Sequence, residues 1–157
     1  MMNITSTFPT AVRELLRTNQ SVLSYAASHV NKLDLTLPQY DVIITLGGTA
    51  GMPHKKLGEK TLITKGTLTG VVTRLEAKGL VERAASKKDG RSQILRLTEA
   101  GNDLFESSFP EHLVFINRLF EDYSADDIAT LENALLRLQN AVANCRGDKT
   151  AEDETEE

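Results

Sequence analysis

Cysteine is nearly absent from this sequence: Cys145 is the only one. One thiol cannot close a disulfide within the chain, and without a Cys-x-x-Cys pair there is no thiolate set for structural zinc or thiol exchange. A reducing, cytoplasmic compartment is therefore expected. Long apolar runs are missing too, and none approaches the roughly 20 residues needed to span a bilayer. The N-terminus lacks a charged segment followed by an apolar core, so neither secretion nor membrane insertion is expected. Tryptophan is absent, and 40% hydrophobic residues over 157 positions fit one soluble domain. No catalytic triad, paired-carboxylate arrangement or nucleotide motif is visible, so no enzyme and no cofactor are expected. Gly47-Gly48-Thr49-Ala50-Gly51 has neither the preceding strand nor the Gly-Lys-Ser/Thr of a phosphate-cradling loop, and reads as a helix stop and linker.

Charge is present in quantity but unevenly placed. The formal net charge is −4, with 18 basic and 22 acidic side chains. Residues 1–53 balance; residues 54–96 hold 11 basic against 4 acidic groups, a net of +7, and residues 97–157 hold 4 against 15, a net of −11. The basic centre is the part that fits a polyanionic partner. The stretch 148–157 is acidic and has no large apolar residue, so a solvated, disordered tail is expected there.

Periodicity organises the rest. Val12, Leu15, Leu16, Val22, Leu23, Ala26, Val30 and Leu33 recur at helical spacing between Phe8 and Leu33, with Pro9 suited to the first turn. Thr36-Leu37-Pro38-Gln39 carries the reciprocal cap of a second helix that Gly47-Gly48 stops. Pro53 opens a brief helix through Leu57 and Lys60. Leu68, Val71, Val72 and Leu75 define one face of the next, which ends at Lys78-Gly79. Two short runs, Leu80 to Ala85 and Ser92 to Leu97, flank a polar turn with Asp89-Gly90 and read as a β-hairpin with a basic tip. Thr98 caps a helix that Pro110 bends or divides, and Ser124 with Asp127 starts the last one, with Ile128, Leu131, Leu135, Leu138 and Val142 along one side. The fold class expected is mainly α with a small β-hairpin wing.

A helix-turn-helix presents the N-terminal half of its second helix to the major groove, which asks for small hydrogen-bonding residues outside and apolar ones inside. Thr64, Lys65, Thr67, Thr69, Thr73 and Arg74 meet the first demand, and Leu68, Val71, Val72 and Leu75 the second. Gly66 and Gly70 cost roughly 1 kcal/mol each against alanine in a helix interior, but they let the backbone approach DNA closely. Arg74 suits either a guanine edge or a phosphate. At the hairpin tip Lys87 and Lys88 suit phosphates and Arg91 a narrow minor groove.

Leu35-Thr36-Leu37-Pro38-Gln39-Tyr40, the run from Thr67 to Val81, and Asp89-Gly90-Arg91 followed by Leu97-Thr98-Glu99-Ala100-Gly101 together resemble the MarR family of bacterial transcription regulators. The outer helices match it only in length and character. The resemblance implies a winged helix-turn-helix lobe over 35–97 flanked by dimerisation helices at 8–34 and 98–146, one domain over 1–147. It also implies that Asp89 orients Arg91. A homodimer is expected because Val12, Leu15, Leu16, Leu23, Ile116, Leu119, Phe120, Leu131, Leu135 and Leu138 exceed the needs of one winged lobe. The partner is then double-stranded DNA carrying a pseudo-palindromic operator, read by a repressor that blocks polymerase. The rival reading is an architectural or regulator-antagonist protein of low sequence specificity, its acidic tail mimicking DNA.

Members of the family often hold a small aromatic or phenolic acid between the dimerisation helices and the DNA-binding lobe. By that resemblance Tyr25, His29, Tyr40 and Ile44 are candidates to line such a crevice, although each also suits an ordinary core or boundary position. His29 and His112 could meet, with Glu111 adjacent, but there is no His-x-x-x-His pair or dense ligand cluster, and no metal site is expected. Peroxide-sensing members keep a reactive cysteine near the first helix, where this chain has none, so Cys145 reads as passive.

Overall fold

A computed structural model describes residues 4–85 and 93–146, which fall into two compact units that divide after Ile116. The first unit contains α1 (Ile4–Val30), a short 3-10 turn (Asn31–Leu33), α2 (Leu37–Leu46), α3 (His54–Lys60), α4 (Lys65–Ala77), β1 (Val81–Ala85), β2 (Gln93–Leu97) and all but the last residue of α5 (Glu99–Asn117). The second contains a 3-10 turn (Arg118–Phe120) and α6 (Ala125–Arg146). Helix α1 starts at Ile4, four residues ahead of the Phe8 expected, and gives way to the 3-10 turn before Leu33. Pro110 neither ends nor splits α5, which runs unbroken across it.

The caps read from the sequence form. The Thr36 backbone amide donates to Gln39 Oε1 at 2.9 Å while Thr36 Oγ1 accepts from the Gln39 amide, so α2 starts with two of its orphan donors satisfied. The Gly101 amide donates to Thr98 Oγ1 at 3.1 Å, and the Asp127 amide to Ser124 Oγ at 3.2 Å while Asp127 Oδ2 accepts from Ser124 in return. At the other end of α4, Gly79 adopts φ +70°, the left-handed conformation that turns the chain into β1.

The core of the first unit gathers the inward faces of these elements. Val30, Leu35, Tyr40, Val42, Ile43, Leu46, Leu57, Leu68, Val72, Leu75 and Leu95 are buried together. Strands β1 and β2 pair antiparallel, Val81 opposite Leu97 and Ala85 opposite Gln93, so Val81, Leu95 and Leu97 share the buried side. Met52, expected in a loop, instead exchanges backbone hydrogen bonds of 2.9 and 2.8 Å with Leu95 and adds a third extended segment beside the hairpin. Its side chain is buried, which ties the linker after α2 to the sheet.

In the second unit α6 buries none of its residues, and Leu131, Leu135 and Leu138 stay about 40% exposed. On α1, Leu15, Leu16, Val22 and Leu23 are exposed as well. Among the described residues no helix is long and apolar enough to cross a membrane.

Candidate nucleic-acid interface and ligand cavity

Successive residues of an α-helix turn by about 100°, so burial along α4 sorts its faces. Leu68, Val71, Val72 and Leu75 are buried against the core. Directly opposite stand Gly66, Gly70 and Thr73, flanked by Thr69 on one side and Arg74 on the other, all exposed. A Cβ at Gly66 or Gly70 would meet nothing within 4 Å. The two glycines thus lie on the outermost line of the helix, where a side chain would hold a partner away from the backbone. Lys65 and Thr67 border this face and are also exposed.

The hydroxyls are partly committed. Thr73 Oγ1 donates to the Thr69 carbonyl at 3.0 Å, so it has lone pairs but no proton to offer a partner. Thr64 and Thr67 share a hydrogen bond of 3.0 Å across the first turn. Thr69 Oγ1 lies 3.4 Å from His54 Nε2, which links α4 to the start of α3.

The basic excess of the central region separates into two groups. Lys78, Arg83 and Arg96 are spent internally: Lys78 Nζ reaches Asp34 Oδ2 at 2.7 Å, Arg83 reaches Glu76 at 2.9 Å, and Arg96 reaches Glu82 across the hairpin at 2.7 Å. The Lys78 ammonium holds the Asp34 carboxyl below its ordinary value. Lys55, Lys56 and Lys60 on α3, with Lys65 and Arg74 on α4, are exposed and have no carboxylate partner among the described residues. The three lysines of α3 were absent from the site read from sequence, although they sit in the same charge run. The first helix of a helix-turn-helix crosses the DNA backbone, and cations suit it there. Lys87, Lys88, Asp89 and Arg91 lie outside the described residues.

A second feature joins α1, α2 and α5. The ring of Tyr25 stacks on Phe115 with centroids 4.3 Å apart, and its hydroxyl donates to the Phe115 carbonyl at 3.1 Å. Phe115 stacks on His29 at 4.8 Å; His29 Nδ1 lies 3.2 Å from His112 Nδ1, and His112 meets the Tyr40 ring edge-on at 5.0 Å. Ser108 Oγ gives its proton to the Leu104 carbonyl at 2.6 Å, so Tyr40 is the donor in its 3.1 Å contact with Ser108. Burial pushes the Tyr40 phenol up from its ordinary value, the Ser108 bond opposing. Burial, and then the neighbouring His29, push the His112 imidazole below its ordinary value. The two histidines meet as the sequence allowed, yet no group of three or more metal-ligating side chains occurs among the described residues.

Beside this ladder opens a cavity of about 710 Å³, within the range of small-molecule sites. Tyr40, His112 and Ile44 line it, with Leu23 of α1 and with Ile63, Thr64 and Thr67 at the entry to α4. Of the four candidates read from sequence, Tyr40 and Ile44 face the cavity, while Tyr25 and His29 lie in the aromatic ladder instead. Asp41 and His112 also line it and were missed. An alternation of polar and apolar residues in α2 marks no cavity by itself, because the opposing wall comes from segments twenty and seventy residues away.

A short helix, a tight turn and a second helix with its apolar side in the core and its small polar side outward, followed by an antiparallel hairpin, define the winged helix-turn-helix class of DNA-binding proteins. A profile of the MarR family matches residues 33–92. The HTH-type transcriptional regulator MhqR of Bacillus subtilis is 29% identical over 79% of this chain and 86% of its own length. The organic hydroperoxide resistance transcriptional regulator of the same species is 33% identical over 69% of this chain and 73% of its own. The crystal structure of AbsC, a MarR family transcriptional regulator from Streptomyces coelicolor, matches with a TM-score of 0.78 at 25% identity, over 92% of this chain and 99% of AbsC. The chain belongs to the MarR family of transcriptional regulators. These relatives are transcriptional regulators.

Proposed function

We propose that this regulator is a cytoplasmic homodimer that represses transcription by sitting on a pseudo-palindromic operator, and that a small aromatic effector in the α1–α2–α5 cavity releases it. The observation that carries the DNA part is the outward face of α4: two glycines and threonines on the outermost line, Arg74 and Lys65 beside them, and three uncommitted lysines on α3. Phosphate contacts from the lysines set register, and the α4 face reads base edges. The wing contributes Lys87 and Lys88 to phosphates and Arg91, oriented by Asp89, to the minor groove.

Dimerisation is supported by the large apolar side chains that α1 leaves exposed and, separately, by those that α6 leaves exposed, because exposed leucines in such number suit an interface. A two-fold dimer places two recognition helices about 34 Å apart and doubles the contacts available to one lobe. Release works through the cavity wall. Thr64 and Thr67 belong both to that wall and to the N-terminus of α4, so an occupant bears on the element that enters the groove. Effector and operator then weaken one another by the same factor.

The test is a fluorescence-anisotropy titration of DNA recovered from cells that hold the protein, with the wild type and Arg91→Ala. The wild type binds with a preference of roughly a thousandfold or more over unrelated DNA. Arg91→Ala binds more weakly and with a reduced salt slope. Unchanged affinity and slope would overturn the wing assignment, and salt-dependent binding without sequence preference would overturn the operator reading.

A further inference from the structure

The cavity carries a charge pattern that restricts what it can hold. No lysine or arginine is among the residues that line it, and its one formally charged side chain is the carboxylate of Asp41. Asp41 stands on α2 next to Tyr40, and its Oδ2 accepts the Leu62 amide at 2.9 Å. The other carboxylate oxygen makes no hydrogen bond with a described residue. Of the residues lining the cavity only His112 could carry an offsetting positive charge, and its burial and then the neighbouring His29 disfavour its protonation. Burial pushes the Asp41 carboxyl up from its ordinary value, and the Leu62 amide, which favours the anion, opposes that shift.

We infer that Asp41 is the polar anchor and the charge filter of this cavity: it admits an uncharged aromatic molecule with a hydroxyl donor, which donates to the free carboxylate oxygen, and it rejects aromatic carboxylates. An anion brought into a cavity with apolar walls would lose its hydration and meet a like charge with no cation to offset either. A hydroxyarene keeps its ring against Tyr40, Ile44 and Ile63 and gives its proton to the one strong acceptor. The inference rests on the reading of this cavity as the effector site, and it narrows the expected aromatic acids to phenols. Asp41 also fixes Leu62, which is 93% exposed in the turn between α3 and α4, so a ligand on its free oxygen shares the carboxylate that holds that turn.

The experiment uses three matched probes, 4-ethylphenol, 4-ethylanisole and 4-ethylbenzoate, titrated calorimetrically into the full chain and into Asp41→Asn. Asparagine retains an acceptor for Leu62 and loses the charge, so the fold is kept. The wild type is expected to bind the phenol at least tenfold more tightly than the anisole and a hundredfold more tightly than the benzoate. In Asp41→Asn the gap between phenol and benzoate narrows by at least tenfold. Benzoate binding as tightly as phenol in the wild type, a phenol-to-benzoate ratio that Asp41→Asn leaves unchanged, or no binding of any probe would overturn the inference. The release reading is tested separately by adding the tightest probe to the protein–DNA complex: benzoate binding that releases DNA sinks the filter and keeps release, whereas phenol binding that leaves DNA affinity intact keeps the filter and sinks release.

Discussion

Replacing both Gly66 and Gly70 by alanine should make the protein more stable and a worse DNA binder. Both positions are helical in α4, neither has a positive φ, and the added Cβ atoms meet nothing within 4 Å. Alanine in an exposed helix interior is worth roughly 0.8–1 kcal/mol over glycine, partly through a less free unfolded chain. The double variant should therefore gain about 2 kcal/mol, or about 4–8 °C in Tm for a chain of this size, measured at fixed protein concentration. The same two methyl groups project from the outermost line of α4, into the space where, on the proposed reading, base edges and phosphates approach the backbone. Operator affinity should fall at least tenfold in anisotropy at constant salt, while unrelated DNA is affected less. Opposite signs for stability and affinity are the signature of a surface shaped for a partner. A variant that gains stability and binds operator as well as the wild type would refute the claim that α4 enters the groove by this face.

Arg74 and Leu75 are neighbours with opposite duties: Arg74→Ala should leave Tm within about a degree and cost roughly 5–150-fold in operator affinity, whereas Leu75→Ala, fully buried, should cost about 2–5 kcal/mol in urea unfolding. If the proposed dimer forms through α6, Leu131→Glu with Leu135→Glu should sediment as a monomer and lower operator affinity by about a hundredfold or more through lost bivalency, and a persistent dimer would contradict the interface. His112 resists protonation in the fold, packed against His29 and Tyr40, with Glu111 adjacent in sequence. Because the unfolded chain takes up that proton first, its contribution is present above the ordinary imidazole value of 6.5 and is lost as pH falls below it. Tm of the wild type should therefore drop more between pH 7 and about 5 than Tm of His112→Gln; parallel pH profiles would remove His112 from the account.

The fold was legible where local rules and tertiary packing agree. The Thr36–Gln39 cap, the Gly79 stop and the 68–71–72–75 stripe each depend on residues within one turn of one another, and each forms as read. Pro110 shows the converse: the local rule has it bend or divide the helix, and α5 runs from Glu99 to Asn117 undivided across it. Met52 is similar: nothing in Gly47 to Met52 announces a strand, because its partner Leu95 is brought there by the hairpin's own docking. On the outward face of α4 the threonines, glycines and Arg74 were visible as a helical stripe, but their commitments were not. That Thr73 spends its proton on Thr69, or that Lys78, Arg83 and Arg96 are used in ion pairs while Lys55, Lys56 and Lys60 are left over, depends on side-chain geometry and not on spacing. The cavity was least legible, with two of four candidates facing it and Asp41 overlooked, because its walls come from α1, α2, α5 and the α3–α4 turn.

On the proposed function, a two-fold pair of these winged lobes reads a specific duplex sequence. Selection of duplexes from a random pool by the full chain, followed by sequencing of the bound fraction, tests it most directly. Inverted half-sites whose centres lie one helical turn, about 10 base pairs, apart should be enriched. A bound pool with no enriched sequence, or a single half-site without its inverted partner, would contradict it.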